Sequence, residues 1–275
     1  MNGTLRSETV WSEANRRRFE HWAWVPPGDG PFPLLVLLHG VYEGGGSCWW
    51  HKGQAHETLD RLGLGVVVLM ATDTGAELGS GYCDWADGTT LAETHLIEEL
   101  LPWAAEALPV RGTSRHIAGL SMGGYGALVL ALRHPGLFAS ASSTSGFFDP
   151  ARLFDFVPEA KDRMWAGDPS GHDVRLLVAD GGRRAELRLA LDCGTDDVLL
   201  DDNRAMHAHL DQLGVPHGYV EHPGGHDWDY WSARVEDHVR FALNLHGPLS
   251  PPPPPPPPSP PAPDRSRRDD GGIRP

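Results

Sequence analysis

The sequence predicts an α/β protein with a mostly parallel central sheet that helices cover on both faces. Short apolar runs of strand length alternate along the chain with longer amphipathic segments, and this alternation is typical of such sheets. Two of the runs, 34–38 (LLVLL) and 66–70 (VVVLM), are apolar at every position, as expected of strands that are buried on both faces.

The individual elements follow from the same pattern. The predicted strands are Leu34–Leu38, Val66–Met70, His116–Leu120, Phe138–Ser145 and Leu187–Asp192, and the predicted helices are Gly53–Leu62, Leu91–Leu108, Met122–His134, Asp201–Leu213 and Trp228–Leu245. Phe19–Val25 is expected to be an early strand that packs antiparallel at one edge. Residues 147–185 break the alternation and are predicted to form a small insertion of short helices and loops near the C-terminal edge of the sheet, where ligands bind in open α/β sheets.

The charge balance argues against two classes of partner. Lys and Arg number 23 and Asp and Glu 37, so the formal net charge is −14. Because an acidic surface repels phosphate backbones and anionic lipid, neither nucleic acid nor a membrane is expected as a partner. No apolar run approaches the roughly 20 residues that a membrane helix needs. A homo-oligomer is compatible with the sequence.

The cysteines and the first residues indicate a cytoplasmic protein. Three widely spaced cysteines, Cys48, Cys83 and Cys193, form neither a disulfide framework nor a zinc motif. The first 20 residues lack the basic-then-apolar order of a signal peptide. A reducing, cytoplasmic setting is therefore expected.

Composition divides the chain after residue 247. From Pro248 onward the sequence reads PLSPPPPPPPPSPPAPDRSRRDDGGIRP, and proline lacks the N–H that helices and sheets require. We predict one α/β domain over residues 1–247 and a proline-rich disordered tail over residues 248–275. A solvated tail is expected, and a docking segment for an aromatic groove is the alternative.

Ser121 is the candidate nucleophile. It lies in Gly119-Leu120-Ser121-Met122-Gly123, a GxSxG pattern that follows a predicted strand and opens a predicted helix. A turn this sharp leaves no room for side chains at the two glycines, and it exposes the serine hydroxyl at the helix N-terminus. Since a serine hydroxyl alone is a weak nucleophile, the pattern requires a base and a carboxylate elsewhere in the chain.

Candidates for the acid and the base follow Ser121 along the chain. They occur in the order nucleophile, acid, histidine, which is the order that this chemistry uses on α/β sheets. Asp197 comes after the strand 187–192 and is the first choice for the acid, with Asp196 as the alternative. His226 follows a Gly-rich turn and is the first choice for the base, with His222 second. The Pro-Gly-Gly between these histidines prevents the helix that an HExxH metal site requires, so neither a metal nor an organic cofactor is expected.

Backbone N–H groups near Ser121 are candidates for binding a developing oxyanion. Val41 follows the first central strand and is the candidate for one donor, with Tyr42 as the alternative. Met122, the residue after the nucleophile, is the candidate for the other. Aromatic side chains are weaker candidates for walls of the substrate pocket, namely Trp50, Tyr82, Trp85 and Trp228.

Four segments together resemble the esterase D family of the α/β-hydrolases: LLHG, GLSMGGYGAL, DCGTDD and GGHDWDYW. This family includes S-formylglutathione hydrolases, carboxylesterases, feruloyl esterases and mycolyltransferases, and the resemblance covers residues 5–246. It implies the α/β-hydrolase fold, Ser121 as nucleophile and His226 as base. The family's GxxD pattern implies Asp197 rather than Asp196 as the acid, and the oxyanion donors correspond to Val41 and Met122.

The sequence thus predicts a serine carboxylesterase that hydrolyses a small-molecule ester through an acyl-serine intermediate. Two alternatives stay open. One is an acyltransferase that passes the acyl group to an alcohol, and the other is a non-catalytic scaffold with a polyproline docking tail.

Overall fold

The computed structural model describes residues 2–75, 79–158, 161–165 and 168–245, and within them a central sheet of eight strands. The strands are β1 (Thr4–Ser12), β2 (Arg17–Val25), β3 (Phe32–Leu38), β4 (Val67–Ala71), β5 (Val110–Leu120), β6 (Ser140–Thr144), β7 (Arg188–Gly194) and β8 (His217–His222). Their spatial order is β1-β2-β4-β3-β5-β6-β7-β8. All pairs from β4 to β8 are parallel, so the predicted mostly parallel sheet is confirmed.

Helices connect these strands and cover the sheet. They are α1 (Cys48–His51), α2 (Ala55–Leu62), α3 (Ala92–Thr94), α4 (Leu101–Ala107), α5 (Met122–Arg133), α6 (Leu153–Phe156), α7 (Lys161–Met164), α8 (Val174–Ala179), α9 (Leu200–Gln212) and α10 (Trp228–Ala242). A π-helical stretch, His95–Leu100, joins α3 to α4, so the predicted helix over 91–108 is present with one widened segment.

The edge of the sheet differs from the expectation. Phe19–Val25 lies in β2 and is antiparallel, but β2 is not at the edge, because β1 pairs with it from Thr4 opposite Val25 to Ser12 opposite Arg17. The edge placement was therefore wrong. In β1 most side chains are exposed or half-buried, and only Val10 and Ser12 are buried, so the segment lacks the apolar run that marks the central strands.

The hydrophobic core lies on both faces of the sheet. One cluster includes Leu34, Val36 and Leu38 of β3, and the other includes Leu35 and Leu37 of the same strand. In α5 every side chain from Met122 to Leu132 is buried. This burial holds the start of α5 rigidly against the ends of β3 and β5.

Two further predictions concern the insertion and the tail. The described part of 147–185 contains α6, α7, α8 and 3₁₀ turns at Pro150–Arg152 and Ser170–His172, so the predicted insertion of short helices is present there. The predicted tail, 248–275, lies outside the described residues. Among the residues that the structure describes, no helix is both long and apolar enough to cross a membrane.

Candidate active site

Ser121 occupies a strained turn between β5 and α5. Its φ is 52° and its ψ is −119°, a combination that L-residues rarely adopt. A Cβ on Gly119 would lie 2.3 Å from the Gly123 carbonyl oxygen, and one on Gly123 would lie 2.1 Å from the Leu38 carbonyl oxygen. Only glycine fits at both positions, and the turn directs the Ser121 hydroxyl beyond the C-terminal edge of the sheet.

His226 reaches Ser121 from the loop between β8 and α10. Its Nε2 lies 3.0 Å from the Ser121 Oγ, although 105 positions separate the two residues. Gly224 in this loop has a φ of 141°, and its carbonyl oxygen accepts a hydrogen bond from the Asp196 amide at 2.9 Å. The loop that carries the imidazole is therefore fixed by backbone to the loop that carries the two candidate acids.

Asp197 is the carboxylate that contacts His226. The imidazole Nδ1 lies 2.9 Å from Oδ1 and 3.0 Å from Oδ2, and the Asp197 side chain is fully buried. Because the carboxylate accepts the Nδ1 proton, Nε2 is left to accept the proton of the Ser121 hydroxyl. The alternative acid, Asp196, is exposed. The alternative base, His222, lies buried at the end of β8, and burial lowers its pKa to about 4.

The pKa of Asp197 is set by two opposing effects. Burial raises it, while hydrogen bonds from His226, Ser145 and the Leu199 amide lower it, and the net result is a pKa below the ordinary value. The Leu199 amide lies 2.8 Å from Oδ1. At neutral pH the carboxylate is thus ionised and holds the imidazole in one tautomer.

The two candidate oxyanion donors belong to residues close to the Ser121 turn. Met122 is the first residue of α5, so its N–H has no partner within the helix. Val41 follows Gly40, where an added Cβ would lie 3.5 Å from the Ser121 Cβ. The alternative donor, Tyr42, has a φ of 57° and an exposed side chain whose hydroxyl donates to the Phe156 carbonyl at 2.7 Å.

A buried tyrosine holds the loop that carries Val41. The Tyr82 hydroxyl accepts from the His39 amide at 2.8 Å and donates to the His39 carbonyl at 3.1 Å. The His39 ring in turn donates from Nδ1 to the Gly40 carbonyl at 2.7 Å and accepts from the Asp73 amide at 3.0 Å. These contacts fix the backbone immediately before Val41.

The four aromatic candidates for pocket walls lie in two environments. Tyr82 and Trp85 are 1% and 4% exposed and belong to the hydrophobic core, which favours a structural role over contact with a substrate. Trp50 is partly buried against Trp22. Trp228 is partly buried, and its indole N–H donates to Glu43 at 3.0 Å, which joins the loop after Val41 to the helix after His226.

Sequence reasoning missed Ser145 and Trp231. The Trp231 indole N–H donates to the Ser145 Oγ at 3.1 Å, and the Trp231 ring stands edge-on to the His226 ring at 4.9 Å. Ser145 has a φ of 52° directly after β6. Its position at a strand end next to β5 is the one signal in the sequence that could have identified it.

A chain of buried polar groups, likewise missed, lies beside the site on β6, β7 and α10. The Thr144 hydroxyl donates to Asp192 at 2.7 Å and lies 2.9 Å from the His238 Nε2, and the Tyr230 hydroxyl donates to the other Asp192 oxygen at 2.9 Å. Burial raises the pKa of Asp192 to about 7 and lowers that of His238 to about 4. The network joins the strand before Ser145 to the helix after His226.

Comparisons with known proteins identify the family. Residues 19–242 match the family model described as "Putative esterase". The chain is 26% identical over 220 residues to an acetyl esterase of Caldicellulosiruptor saccharolyticus, covering 73% of this chain and 79% of that protein. It is 34% identical over 253 residues to the diacylglycerol acyltransferase/mycolyltransferase Ag85A of Mycobacterium tuberculosis, covering 76% of this chain and 72% of the relative.

Two further matches concern length and fold. The chain spans about half of esterase Rv1288 of Mycobacterium tuberculosis, 48% of its length, at 30% identity. The fluorophosphonate-binding serine hydrolase FphF of Staphylococcus aureus superposes with a TM-score of 0.78 at 23% identity, over 89% of this chain and 100% of that one. The fold is therefore that of the α/β-hydrolases. The protein belongs to this esterase family and is a serine carboxylesterase.

Proposed function

We propose that Ser121, His226 and Asp197 are the catalytic residues and that they act through an acyl-serine intermediate. The observation that carries this assignment is the continuous hydrogen-bonded line from the Ser121 Oγ to the His226 Nε2, at 3.0 Å, and from Nδ1 to Asp197, at 2.9 Å. As Ser121 attacks the ester carbonyl, Nε2 takes the hydroxyl proton, and Asp197 stabilises the resulting imidazolium. His226 then returns that proton to the departing alcohol.

The second half of the reaction uses the same residues. His226 removes a proton from an incoming water, the water oxygen attacks the acyl carbonyl, and the proton passes back to the Ser121 Oγ as the acid leaves. In both halves the carbonyl oxygen becomes an anion. We assign the N–H groups of Val41 and Met122 as its hydrogen-bond donors, supported by the free position of Met122 at the helix start and by the Tyr82 contacts that hold the loop before Val41.

Replacement of the nucleophile tests the proposal. Ser121→Ala should lower kcat for p-nitrophenyl acetate by several orders of magnitude, since both covalent steps need the hydroxyl. The matched control is Ser140→Ala, which removes a different buried serine, at the start of β6 and in contact with His116 rather than with the proposed catalytic residues. It should keep far more activity. Comparable activity in Ser121→Ala and in the unmodified enzyme would refute the assignment.

An acyltransferase is the second candidate, favoured by the 34% identity to a protein named as a diacylglycerol acyltransferase/mycolyltransferase. In that case an alcohol replaces water in the second half-reaction, with His226 acting on the alcohol proton. Product analysis of p-nitrophenyl acetate turnover with added glycerol distinguishes the two. Free acetate as the dominant product supports hydrolysis, and glyceryl acetate as the dominant product supports transfer.

The organisation and setting of the enzyme are also proposals. We infer that residues 1–247 form the esterase domain and that residues 248–275 are a solvated tail that takes no part in catalysis, as the proline content suggests. Three free cysteines, all buried, support action in the reducing cytoplasm on a small-molecule ester. Cell fractionation with an antibody to the enzyme tests the location, and light scattering tests for a homo-oligomer.

A further inference from the structure

Two imidazoles and a carboxylate converge between α9 and β8, away from Ser121. His207 and Asp211 lie one helical turn apart on α9, and His217 is the first residue of β8, the strand at this edge of the sheet. One nitrogen of each imidazole and one oxygen of Asp211 all lie within 4.8 Å of one another. Two imidazoles with a carboxylate are a donor set typical of Zn²⁺ and similar transition-metal ions.

The protonation of His217 is fixed by a backbone contact. Its Nδ1 lies 2.8 Å from the Val215 carbonyl oxygen. Since a carbonyl oxygen only accepts, Nδ1 carries the proton and Nε2 presents a lone pair. A hydrogen bond from the other ring nitrogen to a backbone carbonyl is how proteins orient a metal-binding histidine.

His207 directs a nitrogen at that lone pair. Its Nδ1 lies 2.7 Å from the His217 Nε2, and its ring is stacked on Tyr219 with 4.3 Å between the centroids. One proton therefore lies between two nitrogen lone pairs, at a place where a cation can replace it. A tetrahedral Zn²⁺ needs these nitrogens roughly 3.3 Å apart, so the rings would separate by about half an ångström.

We propose that His207, Asp211 and His217 form a binding site for Zn²⁺ or a similar divalent transition-metal ion. The proton displaced from the His207 Nδ1 then resides on the Nε2 of the same ring. The Asp211 Oδ2 lies 3.7 Å from the His207 Nε2, and this exposed side chain can turn to supply a carboxylate oxygen as the third ligand, with water completing the coordination. The site is independent of the proposed catalytic residues.

The ion would join the two elements that position the proposed acid and base. α9 begins at Leu200, shortly after Asp197, and β8 ends at His222, shortly before His226. The Arg204 guanidinium already joins α9 to β8 through two contacts with Glu221, at 2.8 and 2.7 Å. A bound ion adds a second, stronger link at the other end of β8, so it should stabilise the fold without supplying catalysis.

Metal titration of the full chain without a histidine tag tests the proposal. Isothermal titration with Zn²⁺ should show one equivalent bound, with an affinity at least tenfold weaker in His207→Ala and in His217→Ala. Co²⁺ should give the visible absorption of a tetrahedral site in the unmodified protein, and this absorption should be lost in His207→Ala and His217→Ala. The matched control is His209→Ala, on the same helix, which should bind the ion as the unmodified protein does.

Asp211→Asn keeps the test decisive if an imidazole variant fails to fold. Its side chain is exposed, so the fold should tolerate the change, while loss of the carboxylate should weaken Zn²⁺ binding severalfold. Unchanged stoichiometry and affinity across all three ligand variants would overturn the proposal. An exposed site with three protein ligands is expected to bind Zn²⁺ with micromolar affinity and should therefore be filled at about 100 µM Zn²⁺. Absence of a stoichiometric site in the unmodified protein at that concentration would also overturn the proposal.

Discussion

Replacement of Asp197 by asparagine should separate the hydrogen-bonding role of this residue from its space-filling role. The Asp197 side chain is fully buried and accepts from the Leu199 amide at 2.8 Å and from the His226 Nδ1 at 2.9 Å. Asparagine has the same shape and can still accept from Leu199 through its single carbonyl oxygen. Its NH2 group then replaces Oδ2, 3.0 Å from the His226 Nδ1, where it can only donate a proton and so opposes the contact between Nδ1 and the remaining oxygen.

The expected loss follows from the tautomer of His226. With an amide N–H opposite Nδ1, the imidazole is favoured in the form that carries its proton on Nε2, and that form cannot accept the Ser121 proton. Loss of the equivalent carboxylate in serine proteases costs about 10⁴ in kcat, or about 5.5 kcal/mol of transition-state stabilisation. We expect a similar fall here. KM should change little, because Asp197 is buried beneath the imidazole and does not face the substrate.

Steady-state hydrolysis of p-nitrophenyl acetate from pH 6 to 9 measures this effect. Asp196→Asn is the matched control, because it removes the neighbouring carboxylate, which is exposed. We expect its kcat to stay within a fewfold of the unmodified enzyme. If Asp196→Asn lost 10⁴-fold in kcat while Asp197→Asn kept near-normal activity, the assignment of the acid and the reasoning from the His226 contacts would both be wrong.

Three more predictions concern the surroundings of the site and the tail. Tyr82→Phe leaves the buried His39 amide without its acceptor, so the free energy of unfolding measured in urea should fall by about 1–3 kcal/mol, and kcat should fall as well. Unchanged stability would contradict the role of Tyr82 in holding the loop that carries Val41. Asp192 has a raised pKa of about 7, so the folded protein holds a proton that the unfolded chain releases near pH 4, and the contribution of Asp192 to stability should fall by up to roughly 4 kcal/mol as the pH rises from 4 to 7. Asp192→Asn removes this contribution, so the difference in stability between the unmodified protein and the variant should change by that amount over this pH range, and a difference that does not vary with pH would refute it. Removal of residues 248–275 should leave kcat and Tm unchanged, whereas a lower Tm would show that the tail contacts the domain.

The central strands and the serine turn could be predicted from the sequence because each leaves a local signal. β3 and β4 are buried on both faces and are therefore apolar along nearly their whole length. At positions 119 and 123 the neighbouring backbone lies too close for a Cβ atom, so only glycine fits. The GxSxG pattern is therefore a direct consequence of the turn geometry. β1 has no such signal, since most of its side chains are exposed or half-buried.

Other features of the site depend on contacts between distant residues. Asp196 and Asp197 are adjacent in the chain, and the fold distinguishes them by burying Asp197 against His226 while Asp196 stays exposed. Ser145 and Trp231 are 86 positions apart, and although Trp231 ends the GGHDWDYW segment, nothing in the sequence indicates that it contacts Ser145. Tyr82 was a candidate for the pocket because of its residue type, but its burial follows from packing that composition does not reveal.

Covalent labelling tests the assignment of Ser121 most directly. A fluorophosphonate probe reacts with a serine whose hydroxyl is activated by a neighbouring base, so treatment of the enzyme followed by proteolysis and mass spectrometry should locate one phosphonate on the peptide that contains Ser121. Esterase activity should fall in proportion as the label is incorporated. A stoichiometric adduct on a different residue, accompanied by loss of activity, would contradict the account.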